Sequence, residues 1–443
     1  MTSVDERPPL GAAAPGTVWA RVATAGDGPM SPRAALRAFA IFAALLGLAF
    51  SWRGLGGVVF ILAMAAMIML HEAGHFIAAK ASGMKVTQFF LGFGPRLWSF
   101  RRGETEYGVK ALPLGGFVRI VGMHNLEEVA PEDEARTYRA ATFPRRLVTI
   151  CAGSFVHLLL AVILLTVVWS GFGELVPPAV IAKVSPTIDG VSSAAHDAGL
   201  RPGDRIVAIG GVPTPDWYAL SYRIAATAGK PTRFDVIRSS RAMAFLVTPK
   251  PRQCGGFRVG IESVKPRPVR RGPSLAFREV GDDVSQTYAG LAGFFAPSHL
   301  RRYRHTLSNA GSPQPSPGPC NLVEDPYRFI SPKGAVDIGA ASFKQGARPF
   351  LRLLAGLNVS IGLLNMLPLL PLDGGHAVIA IYERVRSRRR RYRANIMKLV
   401  PLTWAVLAVL LTVGVSSLYL DIRQPIQLDE PPVVTTVSKG VRK

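Results

Sequence analysis

A chain of 443 residues, 49% hydrophobic and carrying a formal net charge of +23, has room for two or three domains. Spread over a soluble face, that charge would suit nucleic acid. Here it gathers in loops between apolar blocks of spanning length, which excludes a nucleic-acid role and marks a polytopic membrane protein within the lipid bilayer.

Residues 1–34, with "RPPLGAAAPGT", read as a disordered cytoplasmic tail and lack the layout of a cleaved signal peptide. Apolar blocks follow at 36–52, 55–79, 147–172, 350–372 and 397–420. They predict an α-helical membrane protein of four or five transmembrane helices, depending on whether the first block spans alone or pairs with the second. The interval 81–146 carries Lys85, Arg96, Arg101, Arg102, Lys110, Arg119, Arg136, Arg139, Arg145 and Arg146. The interval 377–396 carries Arg384, Arg386, Arg388 to Arg391 and Arg393. Positive-inside bias places both in the cytoplasm of a cell-membrane protein. The connection 173–349 is long enough to be translocated whatever its charge, and residues 421–443 form a tail.

Within that connection, 179–184, 204–211, 232–238 and 244–250 read as strands between turn residues, and 217–229 as a helix with one apolar face. Residues 177–265 are therefore an extracytoplasmic α+β domain. The stretch "AAHDAGLRPGDRIVAIGGVPT", with Gly199, Leu200, Gly203 and Asp204, resembles the PDZ signature, and the element order is similar to a permuted bacterial PDZ domain. Such domains bind the C-terminus of an extended peptide by strand addition. Residues 266–348 are Pro-, Arg- and Gly-rich and read as a linker with room for a helix or two. The three cysteines have no metal-binding spacing. Cys254 and Cys320 would face the oxidising side, where a disulfide is an option; Cys151 reads as a small apolar residue of a span.

The second block ends in "MIMLHEAGHFIAAK". One ionisable residue at a helix centre in lipid costs roughly 2.5–3.5 kcal/mol on insertion scales, so His71, Glu72 and His75 together need a compensating ligand. His71 and His75 project from one helix face a turn apart, a spacing that suits two imidazoles on one Zn²⁺ with Glu72 as general base. A catalytic zinc wants a third protein ligand. "NVSIGLLNMLPLLPLDGGH" offers Asp373, after Pro368 and Pro371 break the helix and before Gly374 and Gly375. Irregular backbone at that depth is tolerated where it is buried in protein or lines a cavity. Asn365 offers amide donors and an acceptor, to pin an unwound substrate or to stabilise the oxyanion; Asn358, two turns earlier on the same face, serves either the site or a helix-to-helix hydrogen bond. His376 is a competing ligand or a loop residue.

H-E-x-x-H in an early span with N-x-x-P-x-x-P-L-D-G-G in a late one resembles the site-2 protease family of intramembrane zinc metalloproteases, in its bacterial PDZ-containing branch of regulated intramembrane proteolysis. Residues 83–123 resemble that branch's membrane-associated β-hairpin loop. The resemblance covers about 55–265 and 350–420. It implies an intramembrane endopeptidase with zinc on His71, His75 and Asp373, Glu72 as the acid–base residue and Asn365 pinning the substrate. It also implies substrates that are transmembrane segments of proteins already cut once, either anti-sigma factors or remnant signal peptides. Those segments would be unwound by strand addition to the 85–120 loop, with the PDZ domain as an external size filter and the active site near the cytoplasmic side. The third span departs from the family, which shows Ala-Gly-Pro and an Asn three residues after the Pro; Ser154 and His157 stand there. His157 is either a polar packing residue or one that touches the site. An inactive PDZ-bearing scaffold would have lost a ligand or the base, and a prenyl-protein protease would show a Glu as third ligand and no PDZ.

Overall fold

The computed structural model describes residues 32–123, 127–188, 190–251, 256–294, 296–309, 329–387, 394 and 396–423. Most of the predicted N-terminal tail, the 424–443 tail, the arginines at 388–391 and 393, and the Cys254–Cys320 pair lie outside the described residues. The principal elements in chain order are α1 (Pro32–Ala81), β1 (Val86–Arg102), β2 (Thr105–Ile120), α2 (Phe143–Thr166), β3 (Ile181–Val184), β4 (Arg205–Ile209), β5 (Val212–Pro213), α3 (Trp217–Ala226), β6 (Thr232–Arg238), β7 (Arg241–Val247), β8 (Ile261–Ser263), α4 (Pro273–Phe294), α5 (Pro297–Ser308), α6 (Pro332–Gln345), α7 (Ala347–Asn365), α8 (Asp373–Arg386) and α9 (Val400–Arg423). Among the described residues, four helices are long and apolar enough to cross a membrane: Phe39–Ala81, Phe143–Phe172, Ala347–Asn365 and Met397–Arg423. In the last of these the most apolar window has no buried residue, as expected of a helix that is apolar all round and surrounded by lipid.

The chain forms two units. In the first lie the described residues up to Val162, with Asp282–Tyr288 and Ile330–Tyr419. The first two apolar blocks are one helical run that breaks at Gly54, whose φ of 64° and ψ of −160° suit glycine alone. At this break α6 packs on α1 through small residues: a Cβ on Gly56 would lie 3.0 Å from the Ala340 carbonyl, and one on Gly339 would enter the Phe60 ring. Arg53 meets the buried Asp337 at 2.6 Å, and Lys333 meets it at 2.8 Å.

After α1, β1 folds against β2 twice over. Residues 88–91 pair with 106–109 in ascending register and with 116–119 in descending register, while Arg96–Arg102 pairs antiparallel with Thr105–Lys110. The resulting layer is tied to the end of α1 by Glu104, which accepts from Lys80 at 2.5 Å and from Arg136 at 2.7 and 2.9 Å. The start of α2 is held to α8 by a buried pair, Arg146 to Glu383 at 2.7 Å, and Glu383 also accepts the Ala394 amide at 2.8 Å. Burial of both charges is tolerated because each finds a close partner.

The break expected at Pro368 and Pro371 is present: α7 stops at Asn365, and a new helix starts at Asp373. Two sequence expectations are corrected here. The supposed loop from 377 is helical to Arg386, because Ala377, Ile379, Ala380 and Glu383 are buried at helical spacing. Likewise the supposed linker holds α4, α5 and α6, each with Pro at or near its first turn, where the missing N–H costs nothing.

The second unit contains the inserted α+β domain, described by itself. Its sheet runs β7–β6–β4–β5, all neighbours antiparallel, and β8 pairs with β3. The alternation in "TRFDVIR" sends Phe234 and Val236 inward, where they join Ile181, Leu200, Ile206, Ile209, Leu220, Ile224 and Val247. Burying each such side chain stabilises the domain by about 1.5–3 kcal/mol. Asp216 caps α3 by accepting the Ala219 amide at 2.8 Å.

Candidate metal centre

The helical period of α1 sets His71 and His75 one above the other, and their Nε2 atoms are 3.1 Å apart. The Asp373 Oδ2 lies 3.4 Å from His71 Nε2 and 3.2 Å from His75 Nε2. These three are the group of potential metal ligands found among the described residues. Donors bound at about 2.0–2.2 Å to a tetrahedral zinc stand roughly 3.3 Å from one another, so the triangle fits that ion. The burial pattern agrees with the fit. His71 is only 7% exposed, and both its Nδ1 and the Asp373 Oδ2 are buried with no hydrogen-bond partner. An unsatisfied carboxylate oxygen between two imidazoles is costly unless a cation joins them.

Local sequence explains the geometry. His75 Nδ1 is 2.7 Å from the Thr149 carbonyl, so that nitrogen carries the proton and Nε2 keeps its lone pair for a metal. Helices α1 and α2 approach through glycines: a Cβ on Gly74 would be 2.7 Å from the Ala152 carbonyl, and one on Gly153 would be 2.5 Å from His71 Cε1 and collide with His75 Nε2. Asp373 opens α8 after the turn at 366–372, which contains a cis Leu370–Pro371 bond. The pair Gly374-Gly375 is required by close approach, since a Cβ on Gly375 would lie 2.7 Å from the Leu370 amide nitrogen. Glu72 lies beside the triangle and under β2: a Cβ on Gly116 would be 2.9 Å from Glu72 Cγ, and the Val118 N–H faces the carboxylate.

The other residues singled out from sequence are distributed as follows. Asn365 is the last, half-buried residue of α7, eight positions before Asp373, which begins the next helix. His376 sits in the first turn of α8 and is not one of the three clustered donors. Asn358 makes the helix-to-helix bond, its Oδ1 lying 2.8 Å from His157 Nδ1. His157, 1% exposed, lies against His71 with ring centroids 4.9 Å apart, so it both packs and borders the site. Cys151 is a free, half-buried thiol. Sequence reasoning did not find Thr149 or Gly153. Gly153 stood in plain view, one turn before His157, as the small residue that lets α2 reach the histidines.

Similarity to known proteins agrees with this site. The model of peptidase family M50 matches residues 59–411, a range that contains both ligand-bearing segments. The zinc metalloprotease Rip1 of Mycobacterium tuberculosis is 33% identical over 414 residues, covering 84% of this chain and 98% of that protein. Rip1 of Mycolicibacterium smegmatis is 32% identical over 419 residues, covering 85% and 99%. The chain belongs to peptidase family M50, the zinc-dependent site-2 protease family that its two motifs resemble.

Proposed function

We propose that the protein is an intramembrane zinc endopeptidase that cleaves transmembrane segments of membrane proteins already shortened by a first cut. The observation that carries the reading is the triangle of His71, His75 and Asp373 donors with Glu72 beside it, the two histidines and Glu72 lying on a helix apolar enough to span a bilayer. His71, His75 and Asp373 would hold a zinc ion, which would supply Lewis acidity and lower the pKa of a bound water to about 7. Glu72 would be the base that takes a proton from the attacking water and returns it to the leaving amine, a role worth about 10²–10⁴ in rate. Asn365, at the end of α7 ahead of the turn to Asp373, has the amide to pin an unwound substrate strand. The run 116–120 pairs with 86–91 on one side and covers Glu72 with Gly116, a suitable edge for strand addition.

Anti-sigma factors and remnant signal peptides are the substrate classes in view. The inserted domain is assigned as a PDZ domain outside the membrane, acting as a size filter on peptide C-termini. Its support is the sheet order, the positive φ of Gly199 and Gly203, and the buried Leu200 and Asp204 of the signature. By positive-inside bias the site lies near the cytoplasmic face.

The test is cleavage of a tagged single-span substrate in membranes by wild type, Glu72→Ala and Asp373→Ala. The reading expects cleavage inside the span by wild type, its loss in both variants, and chelator inhibition reversed by zinc. Undiminished cleavage by either variant breaks the assigned site.

A further inference from the structure

Resting on that metal centre, we propose that His157 accepts a hydrogen bond from the Nδ1–H of His71, so that Asn358, His157 and His71 form a relay ending at the metal. A histidine that binds a metal through one nitrogen almost always donates its other N–H to a carbonyl, carboxylate or similar acceptor, which fixes the ring and raises ligand basicity. His75 does so to the Thr149 carbonyl. His71 Nδ1 is buried and without a partner, and a buried N–H left in that state is costly.

The nitrogen faces α2. A Cβ built on Gly153 would stand 2.7 Å from His71 Nδ1, and His157 is one helical turn further along the same face. The two rings are already in contact, centroids 4.9 Å apart and tilted by 37°. The protonation of His157 is dictated from behind. Asn358 Nδ2 donates to the Leu354 carbonyl at 2.8 Å, so its Oδ1 is the atom turned to His157 Nδ1, also at 2.8 Å. An amide oxygen only accepts, hence His157 Nδ1 is the donor and the neutral ring carries its lone pair on Nε2. That free lone pair belongs to the ring lying against His71. Gly362 allows the arrangement, because a Cβ there would stand 2.9 Å from His157 Cβ.

The competing acceptor is Ser154 Oγ, which is buried and unpartnered as well. The ring contact favours His157, which lies against His71, and the variants below separate the two acceptors. His157 is therefore a positioning residue: it orients a ligand and does not touch substrate.

The experiment measures zinc affinity of the purified full chain in detergent by chelator competition, with the absorption spectrum of the cobalt-substituted protein as a second readout. Asn at 157 has an amide that reaches only as far as the imidazole Nδ1, and Gln reaches the position of Nε2. The relay predicts that His157→Asn weakens zinc roughly 10–100-fold and shifts the cobalt spectrum. It also predicts that His157→Gln stays close to wild type and that Ser154→Ala changes neither readout. Asn358→Leu, which frees the ring without altering it, should weaken zinc in the same direction and keeps the test usable if His157→Asn fails to fold. Wild-type affinity in both His157→Asn and Asn358→Leu, or a loss in Ser154→Ala instead, overturns the relay. No zinc binding by wild type, or unchanged binding in His75→Ala, removes the metal centre and the relay with it.

Discussion

Two aspartates of this chain look alike in sequence, each beside glycine in a short turn before a regular element, yet their surroundings are opposite. Asp204, in the inserted domain, is fully buried and fully satisfied: Arg238 donates to both its oxygens at 2.7 Å, and the Arg201 amide donates at 2.8 Å. Asp373 is 23% exposed, and its Oδ2 is buried between two histidines with no hydrogen bond. The first carboxylate has all its demands met by its own domain, which is what a structural ion pair requires. The second is left wanting a cation and sits on a turn that only glycines can close. Satisfaction, more than burial, separates the residue that holds a fold from the residue that holds a metal.

The sharpest way to break the contrast is to neutralise each carboxylate. Asp373→Asn should abolish cleavage and zinc binding while leaving thermal unfolding of the zinc-free protein unchanged. Asp204→Asn should do the reverse, destabilising the inserted domain by about 3 kcal/mol because Arg238 loses its partner. Limited proteolysis between residues 177 and 265 would register it. If Asp373→Asn unfolds the protein and Asp204→Asn does not, the assignment of roles is inverted.

Gly153→Ala probes the same site without touching a ligand. The added methyl would meet His71 and His75, so zinc affinity should fall with the spans intact, by more than for Gly414→Ala, where nothing lies within 4 Å. Equal affinity in the two variants would mean that α2 does not press on the histidines.

A smaller effect concerns the layer built by β1 and β2. The Arg136 guanidinium, with Lys80, holds the Glu104 carboxyl down at about 2 despite partial burial. A carboxyl depressed in the folded state contributes stability above its unfolded pKa near 4.3, and that contribution is lost as pH falls towards 2. Proteolytic resistance of residues 86–120 should therefore be flat from pH 7 to 5 and fall below pH 4. Glu104→Gln should lower it at neutral pH by about 1 kcal/mol. A decline already at pH 6 would implicate another group.

The parts of this molecule that were legible in the sequence are those in which a pattern states its own physics. H-E-x-x-H on an apolar helix and a proline-broken span ending in Leu-Asp-Gly-Gly lead to the three donors, and the alternation at 232–238 leads to the sheet. What stayed hidden depends on partners far along the chain. That α8 restarts at Asp373 depends on Ala377, Ala380 and Glu383 finding burial, the last against Arg146, 237 residues away. Helices α4 to α6 were obscured by a composition rich in Pro and Arg that reads as linker. His157 stood out as a departure from the family, yet nothing in its own neighbourhood says that its ring lies against His71.

The most direct test of the central claim is X-ray absorption at the zinc edge of the purified protein and of Asp373→Asn. The account predicts one zinc per chain in wild type, bound by two imidazoles and oxygen donors at about 2.0–2.2 Å, and loss of the metal in the variant. An unchanged first shell in Asp373→Asn, or a zinc bound without imidazole, would contradict it.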